Sequence, residues 1–215
     1  MSTPTTVTTA APAAVSEPAT ADPGPLGLAA FAGTTFVLSS FNAHLIDQSL
    51  LTVVLPLALF YGGLVQLLAG MWEFKKGNTF GATAFCSYGA FWLSYAAYVK
   101  FVVGDLPADK AHQATGLYLL MWAVFTVYMT VAALRTSGAL LAVLTALSVT
   151  FILLAVAEFD QSTGITKVGG WIGLVTAVLA WYASFAVVAN STWKQTVVPV
   201  YPLTGRRGGP VEGGH

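Results

Sequence analysis

Charge is scarce in this chain. Of its 215 residues only 8% are Asp, Glu, Lys or Arg, about a third of the share a soluble domain carries. So few charges cannot keep a soluble surface wet. The rest is 56% hydrophobic, with a mean hydropathy of +0.72. The apolar residues run the length of the chain, which reads as an integral membrane protein with several spans rather than one anchor. Neither sign is in excess, since 9 Lys and Arg balance 9 Asp and Glu, and this gives no case for a nucleic-acid partner. Cysteine is almost absent. The single Cys86 has no intrachain partner, reports nothing about redox compartment, and reads as a small packed hydrophobe.

Catalytic chemistry is missing too. His44, His112 and His215 fall in two expected loops and the C-terminal tail. None has a metal-ligating neighbour at the right spacing within a span. There is no helix-borne pair of acids, no phosphate-cradling glycine loop and no nucleophile motif. The reading is a non-enzyme with no cofactor and no metal. No Asp, Glu, Lys or Arg lies near the middle of an expected span, and Glu73 and Glu158 sit at span ends. Intramembrane carboxylates mark proton relays and ion-coupled pumps. Their absence favours a passive or weakly coupled path for something small and partly apolar.

What is present is length. Six apolar stretches, near 26–42, 51–72, 79–103, 114–134, 137–158 and 167–190, are each about the 17–25 residues that a helix needs to cross the hydrocarbon. No alternating barrel pattern appears, so the fold class is all-α with six transmembrane helices. Residues 1–21 are rich in Thr, Ala and Pro and read as a disordered tail without signal-peptide character. Residues 22–193 form the membrane domain, and 194–215 read as a flexible tail. With both termini in the cytoplasm, Lys75, Lys76, Arg135, Lys194, Arg206 and Arg207 lie inside, against Lys100, Lys110 and Lys167 outside. That bias sets the expected orientation in a cell membrane. Small pairs four or eight apart (Ala29 and Gly33, Gly62 and Gly70, Gly77 and Gly81, Gly169 and Gly173) read chiefly as close helix packing.

The polar groups inside the spans are uncharged. The first offers Thr34, Thr35, Ser39, Ser40 and Asn42, and the second offers Gln66. In the third, Thr83, Ser87, Phe91, Ser94 and Tyr98 recur at helical spacing and are expected on one face, part hydroxyl and part aromatic. That face suits a solute with one polar and one apolar end. The competing reading is that each hydroxyl bonds its own backbone or a neighbouring helix.

Between the second and third spans lies "GMWEFKKGNTFG", Gly70 to Gly81. Its Glu73, Lys75 and Lys76 read first as a topology signal. Gly77 suits a turn and Asn78 suits the cap of the third helix, whose positive dipole end then faces the cytoplasm. The sharper reading has the two lysines drawing carboxylates toward an inner mouth, with Tyr88 nearly three turns deeper on the same helix.

Three stretches carry a family likeness: "DPGPLGLAAFAGTT", "FYGGLVQLLAGMWEFKKGNTFGATAFCSYGAFWL" and "GGWIGLVTA". Together they resemble the acetate uptake transporter family, which includes the bacterial succinate–acetate permease and fungal ammonia/acetate export proteins. The likeness runs from residue 22 to about 190. Its opening motif falls on Pro23, Pro25, Leu26, Gly27 and Leu28, with Asp22 where the family has Asn. Only Asn42 remains of the family's Asn-x-His-Asn at the end of the first span. The resemblance implies a hexamer of six-helix subunits, each with its own pathway for acetate and related short carboxylates, succinate among them. It also implies a constriction of Phe31, Tyr88 and Leu147. Thr34, Thr35, Asn42, Gln66, Thr83 and Ser87 are expected along the path. Protons are an expected partner, since neutral acetic acid would pass a greasy ring more easily than its anion. Two alternatives stand beside this: an ammonium/acetate exporter, and a non-conducting membrane sensor or scaffold of the same fold.

Overall fold

The computed structural model describes residues 20–203. The expected tail before residue 20 and the residues after 203, with Arg206, Arg207 and His215, lie outside it. Six long helical segments follow one another. They are α1 (Gly24–Asn42), α2 (Gln48–Lys76), α3 (Thr79–Ala97), α4 (Ala111–Ala133), α5 (Gly138–Asp160) and α6 (Thr163–Trp193). No strand occurs among the described residues, only an isolated bridge between Ser137 and Pro202. All but α3 are both long and apolar enough to cross a membrane. The hydroxyls of α3 lower its hydropathy, and it packs along α2.

The boundaries follow local chemistry. At the start of α1 the Asp22 carboxylate accepts the Gly24 N–H at 3.0 Å, and Pro25 sits in the first turn, where no N–H is needed. Asp47 receives the Ser49 N–H at 2.9 Å where α2 begins. Gly77, at φ +76°, ends α2 in the left-handed region. Asn78 then caps α3 by accepting the Gly81 N–H at 3.1 Å. Ser137 and Ser162 cap α5 and α6 in the same way.

α2 is not uniform. It opens as a 3₁₀ turn (Gln48–Val53), becomes α-helical over Val54–Leu59, widens to a π-turn over Phe60–Val65, and resumes as α-helix from Gln66 to Lys76. A π-turn carries an extra residue and re-aims every side chain after it. A second π-turn, Tyr98–Val102, extends α3.

The helices close a ring. α1 packs against α6, α6 against α5, α5 against α4, α2 against α3, and α1 also meets α2. Close approach is bought with glycine at a few points: a Cβ on Gly170 would overlap the backbone at Asn42 and Ala43, and one on Gly89 would lie 2.8 Å from the Leu67 amide. The α3–α4 seam differs. Its backbones approach little, and large side chains bridge the gap. Tyr98 stacks on Tyr118 with centroids 5.4 Å apart, and Tyr118 donates to the Phe91 carbonyl at 3.1 Å.

The stretch after Lys194 does not run free. Asn190 Oδ1 accepts the N–H groups of Val197 and Val198 at 2.8 and 3.0 Å. Tyr182 donates to the Pro199 carbonyl at 2.6 Å, and Gly138 N–H to the Tyr201 carbonyl at 2.7 Å. The strap 197–203 is thus tied across one end of the bundle, where composition alone pointed to a loose tail. The difference is the Asn190 side chain, which supplies partners that composition does not reveal.

Candidate functional site

Two cavities lie along the interior of the ring. The smaller, about 200 Å³, opens at the end that holds Asp22 and Val200. Its walls are mostly apolar (Leu28, Phe85, Val143, Leu144), with Gln66, Glu73, Lys76 and Asn78 among its few polar groups. The larger, about 420 Å³, opens at the other end and is lined by Phe91, Trp92, Tyr95, Tyr118 and Phe151, with Thr35, Ser39, Asn42, Thr150 and Glu158 among its polar groups.

Phe31 and Leu147 line both cavities, and Tyr88 lines the smaller one. All three are buried. The Phe31 and Tyr88 rings sit 5.8 Å apart, tilted by 48°. The Tyr88 hydroxyl donates to Thr126 Oγ1 at 3.0 Å, and Thr126 donates to the Trp122 carbonyl at 2.8 Å. That chain anchors the phenol tip on α4. Phe125, edge-on at 5.2 Å, and Trp122, at 6.4 Å, fix the ring further. Among the described residues, no charged residue lines both cavities.

The other expected site residues divide. Thr35 and Asn42 line the larger cavity and Gln66 the smaller. Thr35 Oγ1 and Gln66 Oε1 are buried without a protein partner. Thr34, Thr83 and Ser87 line neither cavity. Thr34 donates to the Ala30 carbonyl at 3.0 Å and faces Gly62 of α2. On α3 and the π-turn that extends it the lining positions include Phe80, Gly81, Ala84, Phe85 and Tyr88, then Phe91, Trp92, Tyr95 and Tyr98. The expected stripe therefore shares Phe91 and Tyr98 with the observed face and is otherwise one residue, about 100°, out of phase. The aromatic residues turn inward, and the small hydroxyls at 83 and 87 are left to the flank. Trp92, Tyr95 and Phe151, which the expected site did not include, line the larger cavity. Their signal was aromatic density rather than polarity.

The charged turn is also built differently from a plain topology signal. Lys75 lies over the Trp72 ring at 5.0 Å and lines neither cavity. Lys76 pairs with Asp22 at 2.8 Å, so the acid that replaces the family's Asn is matched by a lysine. Both are partly exposed, and such a pair adds little stability. Glu73, expected at a span end, is buried against α3 and accepts from Asn78 Nδ2 at 2.8 Å. Helix termination at Gly77 folds Asn78 back over it. Of the opening motif, Pro25 and Leu28 line the smaller cavity and Leu26 is exposed. Gly27 is packed so tightly that a Cβ would lie 2.7 Å from the Phe85 ring.

A ring of membrane-length helices around two cavities, divided by apolar side chains, defines a multi-pass membrane protein. The sequence profile of the GPR1/FUN34/yaaH family, the acetate transporter family, matches residues 5–205, and the chain belongs to that family. It is 45% identical over 188 residues to Ammonia transport outward protein 2 of Saccharomyces cerevisiae, with 85% of this chain and 66% of that protein covered. It is 39% identical over 181 residues to the succinate-acetate/proton symporter SatP of Escherichia coli, covering 84% of this chain and 95% of SatP. The chain thus spans slightly less than two thirds of the yeast protein's length and nearly all of the bacterial one's. Among solved structures, that of the bacterial acetate channel SatP superposes with a TM-score of 0.79 at 38% identity, covering 85% of this chain and 99% of that one.

Proposed function

We propose that this chain is a membrane permease or channel for acetate and related short carboxylates, with a path running through each subunit. The observation that carries this reading is the pair of cavities sharing Phe31 and Leu147 as a common wall, with Tyr88 against them. Similarity to the symporter and to the acetate channel supports the same substrate class. An apolar neck gates by dewetting. It resists water and inorganic ions, while a methyl group tolerates it. Neutral acetic acid passes more readily than acetate, which couples uptake to protons without a carboxylate in the neck. Both termini face the cytoplasm, on the Lys and Arg bias of the loops, so the smaller cavity is the inner vestibule. The subunits assemble as hexamers, on family resemblance.

The test is uptake of labelled acetate into proteoliposomes, with and without an imposed pH gradient, beside an electrical recording. Uptake above empty vesicles that rises with an inward proton gradient is expected. Acetate flux that carried its full negative current at every pH, with no proton movement, would overturn the coupling. No uptake at all would overturn the substrate assignment. A second reading, export of ammonium, is favoured by the 45% identity to the yeast ammonia transport outward protein. Labelled methylammonium in the same vesicles separates the two.

A further inference from the structure

The larger cavity has a mouth whose chemistry the neck does not use. His112 on the first turn of α4 and Glu158 near the end of α5 both line it, and they are the only imidazole and the only carboxylate among its lining residues. No Lys or Arg among the described residues joins them there. Gln161, at φ +50°, ends α5 and brings its side-chain amide to 2.8 Å from His112 Nδ1. With its NH₂ turned to the ring the amide donates to an unprotonated Nδ1, and with its oxygen turned there it accepts from a protonated one, so the contact serves either charge state of His112. Deeper in the same cavity, one turn from Phe31, the Thr35 hydroxyl is buried and has no protein partner. The cavity therefore holds a free hydrogen-bonding group at its floor and an opposed acid and base at its rim.

Resting on the carboxylate reading above, we propose that His112 and Glu158 set the electrostatic selectivity of this mouth. With His112 neutral and Glu158 ionised, the rim carries one negative charge between low-dielectric walls, which focus its field. A carboxylate approaching it is repelled, and a dicarboxylate more so. A proton on His112 cancels that charge and offers the anion a cationic donor. The other groups facing the pair do not reproduce this switch. α3 presents the phenols of Tyr95 and Tyr98, α4 presents Tyr118, α1 presents Asn42, and α6 presents Thr166. Asp109, Lys110, Asp160 and Lys167, in or beside the flanking loops, are exposed and balanced in sign.

The experiment compares the full-length wild type with Glu158→Gln, Glu158→Asp and His112→Gln in proteoliposomes. Initial flux is measured well below half-saturation, at equal pH on both sides, in low and high salt. Chloroacetate, which stays ionised throughout, is run beside acetate and succinate so that substrate protonation drops out of the comparison. At neutral pH and low salt, Glu158→Gln is expected to raise chloroacetate flux roughly three- to tenfold and succinate flux more, with the gain shrinking at high salt. Glu158→Asp keeps the charge and behaves as the wild type. His112→Gln removes the rise in chloroacetate flux that the wild type shows on acidification. Wild-type flux unaffected by Glu158→Gln and His112→Gln at every pH and salt would overturn this proposal while leaving the carboxylate reading intact. Reduced flux in Glu158→Gln beside a normal Glu158→Asp would also overturn it. A wild-type chain that carries none of the three acids removes the carboxylate reading and this proposal together.

Discussion

Phe31 is the residue on which the proposed function turns. It is buried in the apolar core and lines both cavities, so part of its ring borders open space rather than packed side chains. Truncation there should cost less than the roughly 3–5 kcal/mol typical of a buried Phe→Ala change, because less packing is lost. Phe31→Ala is expected to widen the neck and raise the ratio of lactate to acetate flux several-fold, with the folded protein still recovered by size exclusion. An unchanged ratio would remove Phe31 from the neck. Tyr88 reads differently. Its hydroxyl is occupied by Thr126, so its ring and not its oxygen is free to face the smaller cavity. Phe31 and Tyr88 were legible from motifs as candidates, and the structure sets their rings side by side. The anchoring of Tyr88 on Thr126 was not legible, since nothing in either residue's neighbourhood announces a partner 38 positions away.

At the scale of elements, the six spans were legible because each must be long and apolar to cross lipid, whatever it packs against. Their ends were legible where capping chemistry is local, as at Gly77 and Asn78. Their rotation was not. The lining face of α3 sits one residue from the hydroxyl stripe, because neighbours and not polarity choose which side turns inward. In α2 the π-turn at Phe60–Val65 re-aims Gln66 and, seven residues on, Glu73 toward the smaller cavity. The α1–α6 contact is the most demanding element of the bundle. Gly170→Leu places a side chain where the backbone of Asn42 and Ala43 already lies, and neither side is free to move. Overpacking by this much is expected to cost more than the usual 1–3 kcal/mol and to leave little monodisperse protein in detergent. Normal yield and thermal stability of that variant would show the contact to be looser than drawn.

The whole molecule places the Asp22–Lys76 pair, Glu73, Asn78 and the strap 197–203 at one end of the bundle, and His112, Glu158 and Gln161 at the other. The outward faces stay apolar, with Phe60, Leu64, Leu68 and Met71 exposed on α2 and Leu117, Met121 and Val124 on α4. Lipid or neighbouring subunits must cover them. If the proposed hexamer is right, native mass spectrometry from mild detergent should give six times the 22.5 kDa chain, and a monomer that still transports would rule it out as a requirement. The sequence by itself determined the membrane class and the succession of long apolar helices, and its motifs named the candidate ring residues. Hydropathy, capping and motif are properties of short stretches, and short stretches suffice to reveal them. Only the tertiary structure decided which face of each helix meets the cavities, that Glu73 is buried, that the strap closes over one end, and that His112 and Glu158 share a mouth. Each of these depends on how one helix is rotated against another, and that rotation is fixed by packing between residues far apart in the chain.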